Sequence, residues 1–280
     1  MKITYYGTGA GAGIPEIFCS CRVCEYARKE RGIEIRTRSQ AVIDDRLGVD
    51  FPVDVLMHTI YGGLDMRKIR NVLITHNHYD HFLGADAISR PLWEGEPMRF
   101  YASEKSGTDF RSVIDNTEKD YREGKRVRTS SYTPEIHFLK MFTSVSIDGY
   151  TVTPLRARHA EERDAMLFII QGEKNVLWLH DTGLLPEDTV VYLKDCGLRF
   201  DFVSMDCTLA RDKQITQSHM GLDQCIITAQ LLRQCGCIDE KTVLVISHIG
   251  HLVERTHKEL EAEAAPFGFT VAHDGKTYEF

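Results

Sequence analysis

Six consecutive residues, His76-Asn77-His78-Tyr79-Asp80-His81, bring three imidazoles and a carboxylate into one short run. Both groups are ligands for divalent first-row metals. In extended backbone, residues two apart point the same way, so His76 and His78 can meet at one ion. A turn after them can aim Asp80 and His81 at a second ion nearby. Four donors do not close a two-metal site, so further ligands are expected where later strands end. His159, Asp181 and His248 each follow an apolar run, at the point where a strand delivers a side chain to the edge of a core.

A second cluster is Cys19, Cys21 and Cys24, three thiols within six residues. That spacing suits one zinc, although no fourth ligand lies nearby in sequence. A loop of reduced thiols is the alternative, but thiols so close would oxidise easily if exposed. The glycines at 7, 9, 11 and 13 do not open a helix, because Pro15 and the cysteines follow. They suggest a tight turn near the metal cleft rather than a dinucleotide site. Asp50 and Asp206 are candidates to orient a metal-bound His from behind. His180 adjoins Asp181 but points the other way in a strand.

The elements that must position these groups are those of an ordinary globular chain. The 280 residues are 42% hydrophobic and 27% charged, which argues against disorder or low complexity. No window of 18 apolar residues exists, so no membrane partner is expected. The first residues carry no apolar signal segment, which suggests a cytoplasmic protein. A net charge of -7 disfavours an extended nucleic-acid surface. The chain reads as one domain over 1–280. It carries a Cys-rich loop at about 14–38 and a helical and loop insertion at about 85–135. Strands are expected at 1–7, 71–75, 145–159, 166–170, 175–181, 200–206 and 241–247, with hairpins near 45–47 and around Asp274-Gly275. Helices are expected after Pro186, over 221–236 and after His251. Runs of strands alternating with helices suit two sheets with helices outside.

The 75–81 run, His159, the 180–183 stretch and residues 247–251 together resemble the metallo-β-lactamase superfamily. The resemblance implies an α/β fold, a four-layer αββα sandwich of two mixed sheets. It also implies two divalent metals, Zn or Mn, with Fe also suited. His76, His78 and His159 would hold one. Asp80, His81 and His248 would hold the other, and Asp181 would bridge them. A His at 78 sets the chain apart from the diiron branch, where Glu is common.

Residues 7–28, with Arg36-Thr37-Arg38-Ser39, are similar to the phosphoribosyl cyclic phosphodiesterases and their relatives. There three Cys and a late His hold a structural zinc. By motif position that His is His251, with His257 and His273 weaker candidates. His219 resembles a cleft-facing His of the same branch, able to hold a phosphate oxygen or protonate a leaving group; a solvent-facing role fits it equally. The implied activity is hydrolysis of a small or cyclic phosphodiester through a metal-bridging hydroxide. Asp80 and Asp181 would orient it, and His219 would serve as acid. A homodimer follows from the resemblance alone. Thioester or lactone hydrolysis and tRNA 3′ processing are the alternatives with the same ligands. The Cys motif also resembles a protein of pyrroloquinoline quinone biosynthesis with an altered metal motif, but the 76–81 run is intact here.

Overall fold

The computed structural model describes every residue except 89, 91–94, 125–132, 160 and 210–217. Parts of the expected 85–135 insertion therefore lie outside the described residues.

The described strands form two seven-stranded sheets. The first contains β1 (Lys2–Gly7), β2 (Gln40–Ile43), β3 (Leu47–Val49), β4 (Asn71–Leu73), β5 (Arg99–Ala102), β6 (Glu135–Phe138) and, at its other edge, β14 (Thr277–Glu279). The second contains β7 (Val145–Ile147), β8 (Tyr150–Arg156), β9 (Met166–Gln171), β10 (Asn175–Leu179), β11 (Phe202–Asp206), β12 (Val243–Ser247) and β13 (Phe269–Val271). Both are mixed: β3 to β6 run parallel, as do β10 to β13, while the remaining neighbours are antiparallel.

Alternation along β9 shows how the layers form. Met166, Phe168 and Ile170 face the other sheet and pack with Tyr5, Val49, Leu73 and Trp178. Leu167 and Ile169 face outward into a second apolar layer. That layer is closed by α1 (Arg22–Glu30), α5 (Glu187–Asp195), α6 (Leu222–Gln234) and α7 (His257–Ala264). On the first sheet, α2 (Val55–Tyr61), α3 (Gly84–Ala87) and α4 (Glu104–Arg122) cover Val42, Val72 and Phe100. Strands buried on both faces read as unbroken apolar runs, which is why 166–170 and 243–246 stand out in the sequence. The result is the expected αββα sandwich. No helix among the described residues is long and apolar enough to cross a membrane.

Three expectations need correction. The last residues are not a hairpin. β13 pairs with β12 in the second sheet, and β14 pairs with β1 in the first. The Asp274-Gly275 turn carries the chain between sheets. It is tied there because the Asp274 carboxylate accepts from the backbone N–H of Thr8 (2.9 Å) and of Thr37 (2.7 Å). The 85–135 stretch is not only helix and loop, since β5 joins the first sheet beside β4. Its Phe100 is buried among Phe51, Phe82 and Phe110. The 145–159 run breaks at Asp148 (φ 48) and Gly149 (φ 86) into the hairpin of β7 and β8. Two left-handed residues in succession are what a type I′ turn requires.

His58 of α2 packs behind the first sheet, between Gln40 Oε1 (2.6 Å) and Thr37 Oγ1 (2.8 Å). Burial pushes its pKa from 6.5 down to about 4. A histidine depressed in the folded state takes up its proton in the unfolded chain first. Stability is therefore expected to fall as pH drops from 6.5 towards 4. Urea titrations across that range should show a shallower fall for His58→Gln.

Candidate metal centre

The site lies where strands of the two sheets end side by side. His76 follows β4, and a turn brings His78, Asp80 and His81 beside it. His76 Nε2 stands 2.8 Å from His78 Nδ1, which is 3.3 Å from His159 Nε2, beyond β8. These three nitrogens form one group. A second group joins Asp80, His81 and His248, the last beyond β12. His81 Nε2 lies 3.1 Å from His248 Nε2 and 3.4 Å from Asp80 Oδ2. Asp181, beyond β10, sits between the groups. Its Oδ2 is 2.8 Å from His81 Nε2 and 3.2 Å from His248 Nε2, and its Oδ1 is 3.8 Å from His159 Nε2. All seven ligand candidates meet in one place.

These donors fit two divalent cations. Asp181 Oδ2 is buried and makes no hydrogen bond among the described residues, although nitrogens crowd it. Such an acceptor is costly unless a cation satisfies it. Burial alone would strip His81 of a proton, yet Asp181, Asp50 and Asp80 hold its pKa well above the usual value. Positive charge is strongly favoured at that point. Burial, with the charge on His81, pushes His76 well below its usual value, which keeps it neutral as a ligand must be.

Two buried carboxylates orient these rings. His81 Nδ1–H donates to Asp50 Oδ2 at 2.7 Å. Thr75 Oγ1 also bonds Asp50, at 2.9 Å, and lies 3.1 Å from His76 Nδ1. On the second sheet, Thr208 Oγ1 bonds Asp206 Oδ1 at 2.7 Å and lies 2.8 Å from His248 Nδ1. His219 Nδ1–H donates to Asp206 Oδ2 at 2.7 Å. His159 Nδ1–H donates to the Ser218 carbonyl at 3.0 Å. Burial disfavours the His219 cation, but the Asp206 carboxylate outweighs it and its pKa is pushed up to about 9. His219 thus stands in the cleft, its ring 4.8 Å from His159 and 5.6 Å from His248.

Backbone strain accompanies this placement. Asp50 (φ 65), Asp181 (φ 53) and His248 (φ 54) are all left-handed. Each costs on the order of 1 kcal/mol for a residue with a Cβ. The glycine turn closes over the same spot, since a Cβ on Gly11 would lie 3.0 Å from Asp80 Oδ2. His180 is buried away from the ligands, against Ser204 Oγ at 2.7 Å. Thr75, Thr208 and Ser218 went unrecognised in the sequence. Thr75 directly precedes the metal run and Thr208 lies two residues beyond Asp206, which is the signal they leave.

Cys19, Cys21, Cys24 and His251 also come together. Cys19 Sγ lies 3.4 Å, and Cys21 Sγ 3.6 Å, from His251 Nδ1. All four are unbridged or imidazole donors, the soft set that zinc takes in closed tetrahedral sites. Burial opposes ionisation of Cys21, but the Cys24 backbone N–H and His251 outweigh it and bring its thiol down to about 6. His257 and His273 lie apart from this cluster; His257 bonds Arg36 at 2.9 Å.

A family profile described as the β-lactamase superfamily domain matches residues 56–249. The octanoyltransferase of Porphyromonas gingivalis is 26% identical over 93% of this chain, and the chain spans about half (48%) of that curated relative's length. Two solved structures share the whole fold. One, a diphosphatase of the PhnP family, superposes with a TM-score of 0.75 at 22% identity, covering 100% of this chain and 97% of its own. The other, Zn(2+)-bound PqqB from Methylobacterium extorquens, gives 0.73 at 20% identity and covers 100% of both chains.

Metal content by plasma mass spectrometry should be about three ions per chain, with Cys21→Ala losing one zinc and keeping two ions. Asp50→Asn should keep the fold and weaken the paired ions by roughly 10–100-fold in a chelator competition. Unchanged zinc content in Cys21→Ala, together with unchanged chelator competition in Asp50→Asn, would refute the assignments.

Proposed function

Because the chain belongs to the β-lactamase superfamily, whose members are metal-dependent hydrolases, we propose that it hydrolyses small or cyclic phosphodiesters. His76, His78 and His159 would hold one divalent metal, Zn or Mn, and Asp80, His81 and His248 the other, with Asp181 shared. When bound, such metals lower the pKa of water to near neutrality and neutralise charge on phosphoryl oxygens. The protein's own residues supply the rest. Asp80 and Asp181 would orient the attacking oxygen. His219 donates a proton from Nε2 to the departing oxygen, while Asp206 holds Nδ1 and stabilises the imidazolium. The observation that carries this reading is the place of His219, whose ring stands 4.8 Å from His159 and 5.6 Å from His248 with Nδ1 anchored on Asp206, because an alkoxide leaving group needs an acid within reach of the metal groups. The Cys19, Cys21, Cys24 and His251 cluster would hold a structural zinc. We place the reaction in the cytoplasm, where such thiols stay reduced.

A second reading is acyl thioester hydrolysis at the same centre. It is favoured by the relative named octanoyltransferase.

Metal-loaded protein is expected to cleave bis-p-nitrophenyl phosphate and a cyclic phosphodiester, and His76→Ala to lose both. Intact diesters with rapid cleavage of octanoyl-coenzyme A would overturn the first reading in favour of the second. His219→Ala should slow diesters with alkyl leaving groups by about 10²–10⁴-fold and leave p-nitrophenolate release nearly unchanged, because that leaving group needs no proton.

A further inference from the structure

Away from the candidate metal centre, the first sheet carries a cavity of about 450 Å³ that the proposed reaction does not use. Its volume falls in the range of small-molecule sites, about 300–1,000 Å³. The walls are Tyr6, Ile35, Met57 and Tyr61, and Arg31 stands at the rim. The floor is polar: Thr37, His58 and Asp274.

Three observations define what would fit. The floor groups are already engaged with one another and with the chain. Asp274 accepts from Thr8 and Thr37 through both its oxygens, and His58 uses both ring nitrogens. They offer no donor pattern to read a nucleobase or a sugar. The walls and the mouth are apolar. Met57 and Tyr61 are 45% and 79% exposed, and Leu56 and Ile60 on the same helix are 61% and 58% exposed. So much apolar surface on one short helix marks a binding face. Finally, the Arg31 side chain forms no ion pair or hydrogen bond among the described residues. It is the unpaired charge next to the apolar walls, so charge complementarity selects an anion.

We propose that this cavity binds an amphipathic monoanion, a medium-chain carboxylate whose tail lies against Tyr6, Ile35, Met57 and Tyr61 and whose carboxylate meets Arg31. The site is independent of the phosphodiesterase reading, since none of its residues belongs to the metal centre. It is not isolated from it. The Thr37–His58–Gln40 hydrogen bonds lead to the Asp50 carbonyl, which Gln40 Nε2 reaches at 3.1 Å.

Titration calorimetry of the metal-loaded protein with sodium octanoate tests the proposal. Saturable binding of one octanoate per chain is expected, with octylamine giving none and octanol binding more weakly. Arg31→Gln should weaken octanoate about tenfold, and Met57→Asp should abolish its binding, both without change in metal content. Two outcomes overturn the proposal. Octanoate binding that survives both substitutions but disappears on chelation belongs to the metal centre. Sedimentation that shows a dimer dispersed by Met57→Asp, with no octanoate binding, assigns the apolar face to a second copy of the chain.

Discussion

Two buried carboxylates govern the centre, and much of the fold serves to satisfy them. Asp50 and Asp206 are almost wholly excluded from water. A carboxylate in that position must be fully paired or it neutralises. Each solves the problem in the same way. A threonine hydroxyl bonds the carboxylate, and two imidazoles are fixed by the pair. Asp50 and Thr75 serve His76 and His81. Asp206 and Thr208 serve His248 and His219. In each half, the anchoring residues come from the ends of neighbouring parallel strands: Asp50 and Thr75 follow β3 and β4, while Asp206 ends β11 and His248 follows β12. Parallel neighbours end together on one side, which is why a side chain beyond one strand can reach the side chain beyond the next.

The two halves face each other only if the sheets keep one register. The apolar layer between them is not enough to fix it, since burial is nearly indifferent to small slides. A polar contact inside that layer is more demanding. Tyr5 of the first sheet donates its hydroxyl to Ser204 of the second at 2.6 Å, and His180 meets the same Ser204 oxygen. Slipping the sheets would leave buried hydroxyls unpaired, at about 1–3 kcal/mol each. Tyr5 also stacks on Trp178, with ring centres 5.7 Å apart. His180 therefore has a structural task next to the ligand candidate Asp181, which explains a histidine that takes no part in the cluster.

What was legible in the sequence follows from this arrangement. His76, His78, Asp80 and His81 are contiguous, so their chemistry could be read directly. His159, Asp181 and His248 were found because a strand end is a local pattern, and the pairing of Cys19, Cys21 and Cys24 with His251 came from a motif. Less legible were features set by tertiary context. The chain after β13 looked like a hairpin because Asp274-Gly275 is a good turn, but Asp274 is claimed by Thr8 and Thr37 of the other sheet. Strand β5 is short and flanked by polar segments, and it shows its burial only once α4 covers it. The left-handed backbone at Asp50, Asp181 and His248 leaves only a weak trace in residue type, since Asp and His tolerate that region better than most residues but occur elsewhere too.

The cysteine cluster acts on the same centre through the backbone. Cys19 and His251 are 232 residues apart, so bringing them together closes almost the whole chain. Closure entropy grows only slowly with loop length, and a firm tie between distant segments repays it for everything enclosed. The segment just before Cys19 is the glycine turn, whose Ala10 N–H donates to the Ile249 carbonyl while the Ile249 N–H donates to the Thr8 carbonyl. Ile249 follows the ligand His248 directly, and Gly11 abuts Asp80. A cation held by the three sulfurs and His251 would thus set the position of a ligand candidate on each side of the cleft. It would do so from three residues beyond one of them, without touching either.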